Sequence, residues 1–129
     1  MLDYKESINI ITQWAATKGY KVLGNWGEDA FYDKDKEIVY SLGTKNKKNQ
    51  LYSLLHECGH ALAFESKGYK DRFPTMAKQR FKTAKVNPRT NTFKVESILE
   101  EYDAWSRGLA LAQRLGIKVD REDYGNYAS

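Results

Sequence analysis

Both histidines of this chain, His56 and His60, fall four residues apart in the run Leu51-Tyr52-Ser53-Leu54-Leu55-His56-Glu57-Cys58-Gly59-His60-Ala61-Leu62-Ala63-Phe64. No other feature constrains the fold as tightly. Residues four apart on a helix lie one turn apart on one face. Two imidazoles so placed can bind one Zn²⁺ at about 2.0–2.1 Å each. A glutamate directly after the first histidine stands beside such a metal, where it can act as general base on a water. The motif therefore requires a helix. At about 100° per residue, Leu51, Leu55, Cys58 and Leu62 form one apolar face, with His56 and His60 opposite and Glu57 alongside. Gly59 leaves room beside the histidines for another element to approach.

A catalytic zinc takes three protein ligands and keeps its fourth position open. The sequence has no third histidine, and its one cysteine, Cys58, lies on the core face. That leaves a carboxylate. Glu96, Glu100 and Glu101 stand on the next strongly periodic segment, Val95 to Leu115. A helical wheel puts Ile98, Tyr102, Trp105, Leu109 and Ala112 at the centre of its buried face, extended by Ala104, Gly108, Leu111 and Leu115. Glu101 falls inside that arc and Glu100 at its edge beside Arg107. Glu96 sits in the first turn, where the helix dipole favours acids. A carboxylate among apolar neighbours is costly unless paired or metal-bound. On that ground Glu101 is the expected ligand, Glu100 the alternative and Glu96 third.

The rest of the chain reads as a small α+β layout in one domain, residues 1–129. An amphipathic helix is expected near Tyr4 to Lys18, carried by Ile8, Ile11 and Ala15 and stopped by Gly19. Lys21-Val22-Leu23 is strand-like. Ala30 to Tyr32 and Ile38 to Leu42 flank the polar turn Asp33-Lys34-Asp35-Lys36, which predicts a β-hairpin and a mostly antiparallel sheet. A lysine-rich loop from Gly43 leads to the motif helix, expected over Gln50 to Lys67 with Asn49 as N-cap. Pro74 and Pro88 bracket a stretch with a possible helix at Met76 to Lys85, and Asp120 caps a short aromatic tail.

The combination of motifs resembles the gluzincin metallopeptidases, especially their compact ImmA/IrrE-like and minigluzincin members. Those pair a His-Glu-x-x-His helix with a glutamate helix of the form Glu-x-x-Ala-Asp/Asn. Here Glu101-Tyr102-Asp103-Ala104 fits that form, and Trp105 departs from it. The resemblance covers about residues 38 to 65 and 95 to 116. It implies a zincin-like domain and a zinc-dependent peptidase with His56, His60 and Glu101 as ligands and Glu57 as base. It also implies an edge strand before the motif helix. Ile38, Val39, Tyr40, Ser41 and Leu42 would supply that strand and bind the peptide substrate by main-chain hydrogen bonds. Tyr69, Tyr124 and Tyr127 are candidates for stabilising an oxyanion.

Charge adds a second theme. Residues 66–94 hold nine Lys and Arg against Asp71, a net of +8, while the remainder carries −4 to give the total of +4. This basic insertion raises another reading, a DNA-associated, SprT-like protein. A non-catalytic zincin-fold binding module is a further alternative, against which Glu57 speaks. The plainer reading is a solvated connecting segment. Hydrolysis of a non-protein amide would use the same zinc chemistry. The sequence signals no membrane span and no obligate partner. Its start lacks the layout of a secretory leader and its lone cysteine can form no internal disulfide, so the expected location is cytoplasmic.

Overall fold

The computed structural model describes residues 3–43 and 46–128. In chain order these form helix α1 (Tyr4–Thr17), strands β1 (Lys21–Asn25), β2 (Ala30–Tyr32) and β3 (Glu37–Ser41), then helices α2 (Lys47–Glu65), α3 (Tyr69–Arg72), α4 (Pro74–Phe81), α5 (Asn91–Arg114) and α6 (Arg121–Ala128). The α+β layout expected from the sequence is the one observed. None of the described helices is long and apolar enough to cross a membrane.

The local signals act as the sequence predicts in α1. Asp3 accepts a hydrogen bond from the Glu6 N–H at 2.7 Å, which satisfies a free donor of the first turn. Ile8, Ile11 and Ala15 are buried. Gly19 ends the helix at φ +85°, a left-handed conformation that glycine adopts without steric cost.

The sheet departs from expectation. Its strand order is β1-β3-β2, with β3 in the middle. The hairpin pairs Phe31 with Ile38 in antiparallel register, but β1 runs parallel to β3, from Lys21 opposite Glu37 to Asn25 opposite Ser41. The sheet is therefore mixed, and β3, the strand expected at an edge, lies in its middle. The physical sign is that neighbouring side chains Ile38 and Val39 are both buried, at 0% and 6% exposure. Successive apolar residues suit a strand covered on both faces.

Helix α2 starts earlier than Gln50 and is capped by Asn46, whose side chain accepts from the Lys48 N–H at 2.9 Å. Lys47 to Asn49 are thus helical rather than part of the lysine-rich loop; Thr44 and Lys45, also assigned to that loop, lie outside the described residues. Every residue from Gln50 to Ala61 is buried. The motif helix is the central element of the molecule, packed on β3, α1, α5 and α6. Its histidine face is covered by α5 rather than open to solvent.

Helix α5 corrects the wheel. Ile98 and Tyr102, placed at the centre of the buried face, are 69% and 64% exposed, and Val95 and Leu99 are exposed beside them. The buried set is Glu96, Glu100, Ala104, Gly108, Leu109, Leu111 and Ala112. Hydrophobicity pointed one way and close approach decided otherwise. Ala104 and Gly108 turn inward because they let α5 touch the backbone of α2.

The basic insertion is structured. Tyr69, Phe73, Met76 and Ala77 form their own apolar cluster against Phe64 and Phe93. Pro74 begins α4, where its missing N–H costs nothing. Glu96 accepts from the Thr75 and Met76 N–H groups at 2.8 and 3.1 Å and so caps α4 from outside. Two of the nine cations are consumed internally. Arg72 lies 3.3 Å from Asp103, and Arg80 lies 3.4 Å from Glu100 and 3.7 Å from Asp33. In the tail, Asp120 accepts from the Asp123 N–H at 2.9 Å, and α6 seats Tyr124 in the core.

Candidate metal centre

Helix α2 sets His56 and His60 one turn apart, and their Nε2 atoms stand 3.2 Å from each other. Across the helix interface, Glu101 of α5 reaches both. Its Oε2 lies 2.9 Å from His56 Nε2, and its Oε1 lies 3.1 Å from His60 Nε2. One carboxylate and two imidazole nitrogens thus form a triangle with edges near 3 Å. Tetrahedral bonds of about 2.0–2.1 Å put ligand atoms about 3.3–3.4 Å apart, so a metal ion fits at this triangle with small adjustment. The donor chemistry agrees, since neutral imidazole and carboxylate are common ligands of divalent transition metals.

Glu57 is also near. Its ligand atom and those of His56 and His60 all lie within 4.8 Å of one another. Its Oε2 is 4.0 Å from His56 Nε2, farther than either Glu101 oxygen from its histidine. Glu101 therefore approaches both imidazole nitrogens more closely than Glu57 approaches that of His56, and Glu57 stands beside the triangle. Glu101 is not held at the site by burial, however, since its side chain is 49% exposed. Glu100 is the buried one, on the far side of His60. Glu96 is spent on α4.

Electrostatics suit a cation. Burial works against charge on His60, but hydrogen bonds and charges of Glu100, Glu101 and Glu57 outweigh it and lift the imidazole to about 10. Burial also acts to raise Glu101, and its bonds to His56 and His60 overcome that to hold it well below the usual carboxylate range. In the metal-free protein, a proton on His60 supplies positive charge that the surrounding carboxylates demand.

Glu57 is pushed up to about 8, chiefly by burial and further by the neighbouring Asp29 carboxylate, with the His60 charge opposing. Asp29 accepts a hydrogen bond from Ser53 Oγ at 2.8 Å, and Ser53 in turn accepts from the Ser41 N–H at 2.9 Å. This chain of contacts ties Glu57 to β3. Asp29 and Ser53 were not singled out from the sequence. Ser53, one turn before Glu57 on α2, carried a usable signal; Asp29, in a connecting loop, carried none.

Several expected helpers are placed elsewhere. Trp105 stacks on Tyr124 at 6.0 Å between ring centroids and offers no carboxylate. Asp103 is engaged by Arg72 and Arg107. Tyr69 donates to Glu100 at 2.8 Å, and Tyr124 is wholly buried. Tyr127 is half-buried, bonded to Ser53 and close enough to feel the Glu57 charge. Ile38 and Val39 are paired on both sides, Tyr40 and Ser41 are paired with β1, and Leu42 lies beyond β3.

No protein-family model, no curated protein and no solved structure matches this chain.

Proposed function

We propose that the protein is a zinc-dependent metallopeptidase, a hydrolase of peptide bonds. The observation that carries this reading is the convergence of Glu101 on both histidine Nε2 atoms, at 2.9 and 3.1 Å, with Glu57 alongside but outside the triangle. A structural zinc site uses four closed protein ligands. Three ligands and an adjacent buried carboxylate suit chemistry better.

His56, His60 and Glu101 would hold the zinc, which when bound supplies Lewis acidity to a carbonyl and a water. Glu57 takes the proton from the attacking water and passes it to the leaving amine. Beside a divalent cation the Glu57 carboxyl ionises, because opposite charge favours the charged form. His56 and His60 must be neutral to coordinate.

Metal content by elemental analysis tests the ligand set. Wild type is expected to carry about one zinc per chain, as one three-ligand site demands. Glu101→Gln should lose most of it, while Glu96→Gln should keep it. Equal zinc in both variants would remove Glu101 from the site. A second expected result concerns protons. At pH 7 the free His60 and the free Glu57 carboxyl each hold a proton that metal binding displaces, so zinc uptake should release about two protons. Apparent affinity should then rise about a hundredfold per pH unit between 6 and 7 and about tenfold per unit once Glu57 has ionised above 8. Calorimetry in buffers of different ionisation enthalpy measures this directly; no proton release would contradict the charged free state.

A further inference from the structure

We infer that the basic insertion is part of the metal centre: Tyr69 and Arg80 clamp Glu100 against His60, making metal affinity depend on how α3 and α4 dock. This inference rests on the reading of the site as a metal centre.

Glu100 is buried on α5, one position before the expected ligand. Its Oε1 lies 3.4 Å from His60 Nδ1, on the opposite side of the ring from the triangle. Its Oε2 accepts from the Tyr69 hydroxyl at 2.8 Å. Arg80 Nη2 reaches Oε1 at 3.4 Å, and Arg80 Nε donates to the Tyr69 hydroxyl at 3.2 Å. Three groups from three helices thus fix one carboxylate. Arg80 is itself held, with its guanidinium 5.2 Å from the Phe31 ring and 3.7 Å from Asp33 of the hairpin.

The chemistry gives this cluster a purpose. A histidine that binds metal through Nε2 must carry its proton on Nδ1. A carboxylate at Nδ1 selects that tautomer, fixes the ring and raises the basicity of the ligating nitrogen. His60 Nδ1 is buried without a formed hydrogen bond, and Glu100 Oε1, 3.4 Å away, stands within a small shift of the place such a carboxylate takes. Tyr69 holds Oε2 and Arg80 reaches Oε1, so the carboxylate is fixed with Oε1 turned toward His60. Both belong to the insertion, so if α3 and α4 lift away, Glu100 loses its partners and His60 its support. Coupling of this kind is reciprocal: if docking strengthens metal binding, metal binding strengthens docking.

The test is zinc titration of the full chain by competition with a chromophoric chelator, alongside amide hydrogen exchange with and without zinc. Glu100→Gln should weaken zinc binding about 10- to 100-fold, the usual cost of losing a ligand's outer partner. Tyr69→Phe keeps its ring in the apolar cluster and should weaken binding about 3- to 10-fold, the worth of one buried hydrogen bond. Zinc should slow amide exchange over Tyr69 to Phe81 in wild type and do so less in Glu100→Gln. A merely structural role would lower the melting temperature of the variants and leave their zinc affinity and zinc-dependent protection unchanged. Wild-type affinity in Glu100→Gln overturns the inference and leaves the peptidase reading standing. If Glu100→Gln does not fold, unchanged affinity in Tyr69→Phe overturns it equally. Wild type that binds no zinc overturns both, and that measurement alone separates the two failures.

Discussion

Glu57→Gln is expected to keep its zinc and lose peptide hydrolysis by about 10²- to 10⁴-fold, the usual contribution of a positioned general base. The substitution preserves shape and removes only the ability to accept a proton. Glu57 lies 4.0 Å from His56 Nε2, outside the triangle closed by Glu101, so the ligand set should survive. Two opposite results are informative. Loss of zinc would make Glu57 a ligand in place of Glu101. Full activity would move the base elsewhere and favour a site in which Glu57 only packs. Stability gives an independent reading of the same residue. The Glu57 carboxyl titrates near 8 in the folded metal-free protein against an ordinary 4.5. A raised carboxyl favours the folded state below 4.5, and that contribution is lost as pH rises through 8. His60, raised to about 10 from 6.5, adds a loss between those two values. Thermal melts of chelator-treated wild type should therefore fall between pH 5 and pH 8, and those of Glu57→Gln should fall less, because the amide does not ionise.

The sequence reading reached the fold class and the neighbourhood of the site, and the reasons differ. The spacing of His56, Glu57 and His60 works through helix geometry alone, which is local and needs no knowledge of packing. Helix α1 was legible for the same reason, with a glycine at its stop and apolar residues at helical spacing. The error on α5 was instructive. Val95, Ile98, Leu99 and Tyr102 make a convincing apolar stripe, and the structure leaves that stripe outside. Small residues faced inward in its place, since the approach of α2 left no room for large ones. Glu101 does approach both histidines, but not for the reason of burial: it is partly exposed, and Glu100 is the carboxylate that burial picks out. The sheet order was out of reach, because a hairpin signal says which strands are neighbours but not where β1 adds. The roles of Tyr69 and Arg80 were also hidden. They depend on how a segment without clear periodicity folds back over the ligand helix.

Gly59→Ala should be the most damaging single-methyl change in the molecule. A Cβ at Gly59 would lie 1.9 Å from the Ala104 carbonyl oxygen and 2.7 Å from its carbon. Both obstacles are backbone, so no side-chain rotation relieves the clash. Helices α2 and α5 would have to separate, and that interface carries both halves of the metal triangle. Overpacking in cores costs about 1–3 kcal/mol and at times more. This contact belongs at or above the upper end, and the zinc site should weaken along with the fold. Gly108→Ala should behave alike, since its Cβ would meet the Leu55 carbonyl oxygen at 2.6 Å. Gly125 is the contrasting case. It is also helical, but a Cβ there meets Trp105 at 3.5 Å, an ordinary contact. Replacing a helical glycine by alanine without a clash gains up to about 1 kcal/mol. Denaturant titrations should thus move in opposite directions, with the midpoint lowered in Gly59→Ala and unchanged or raised in Gly125→Ala. A Gly59→Ala protein as stable as wild type would mean that the two helices are not in backbone contact, and the Glu101 geometry would fall with that contact.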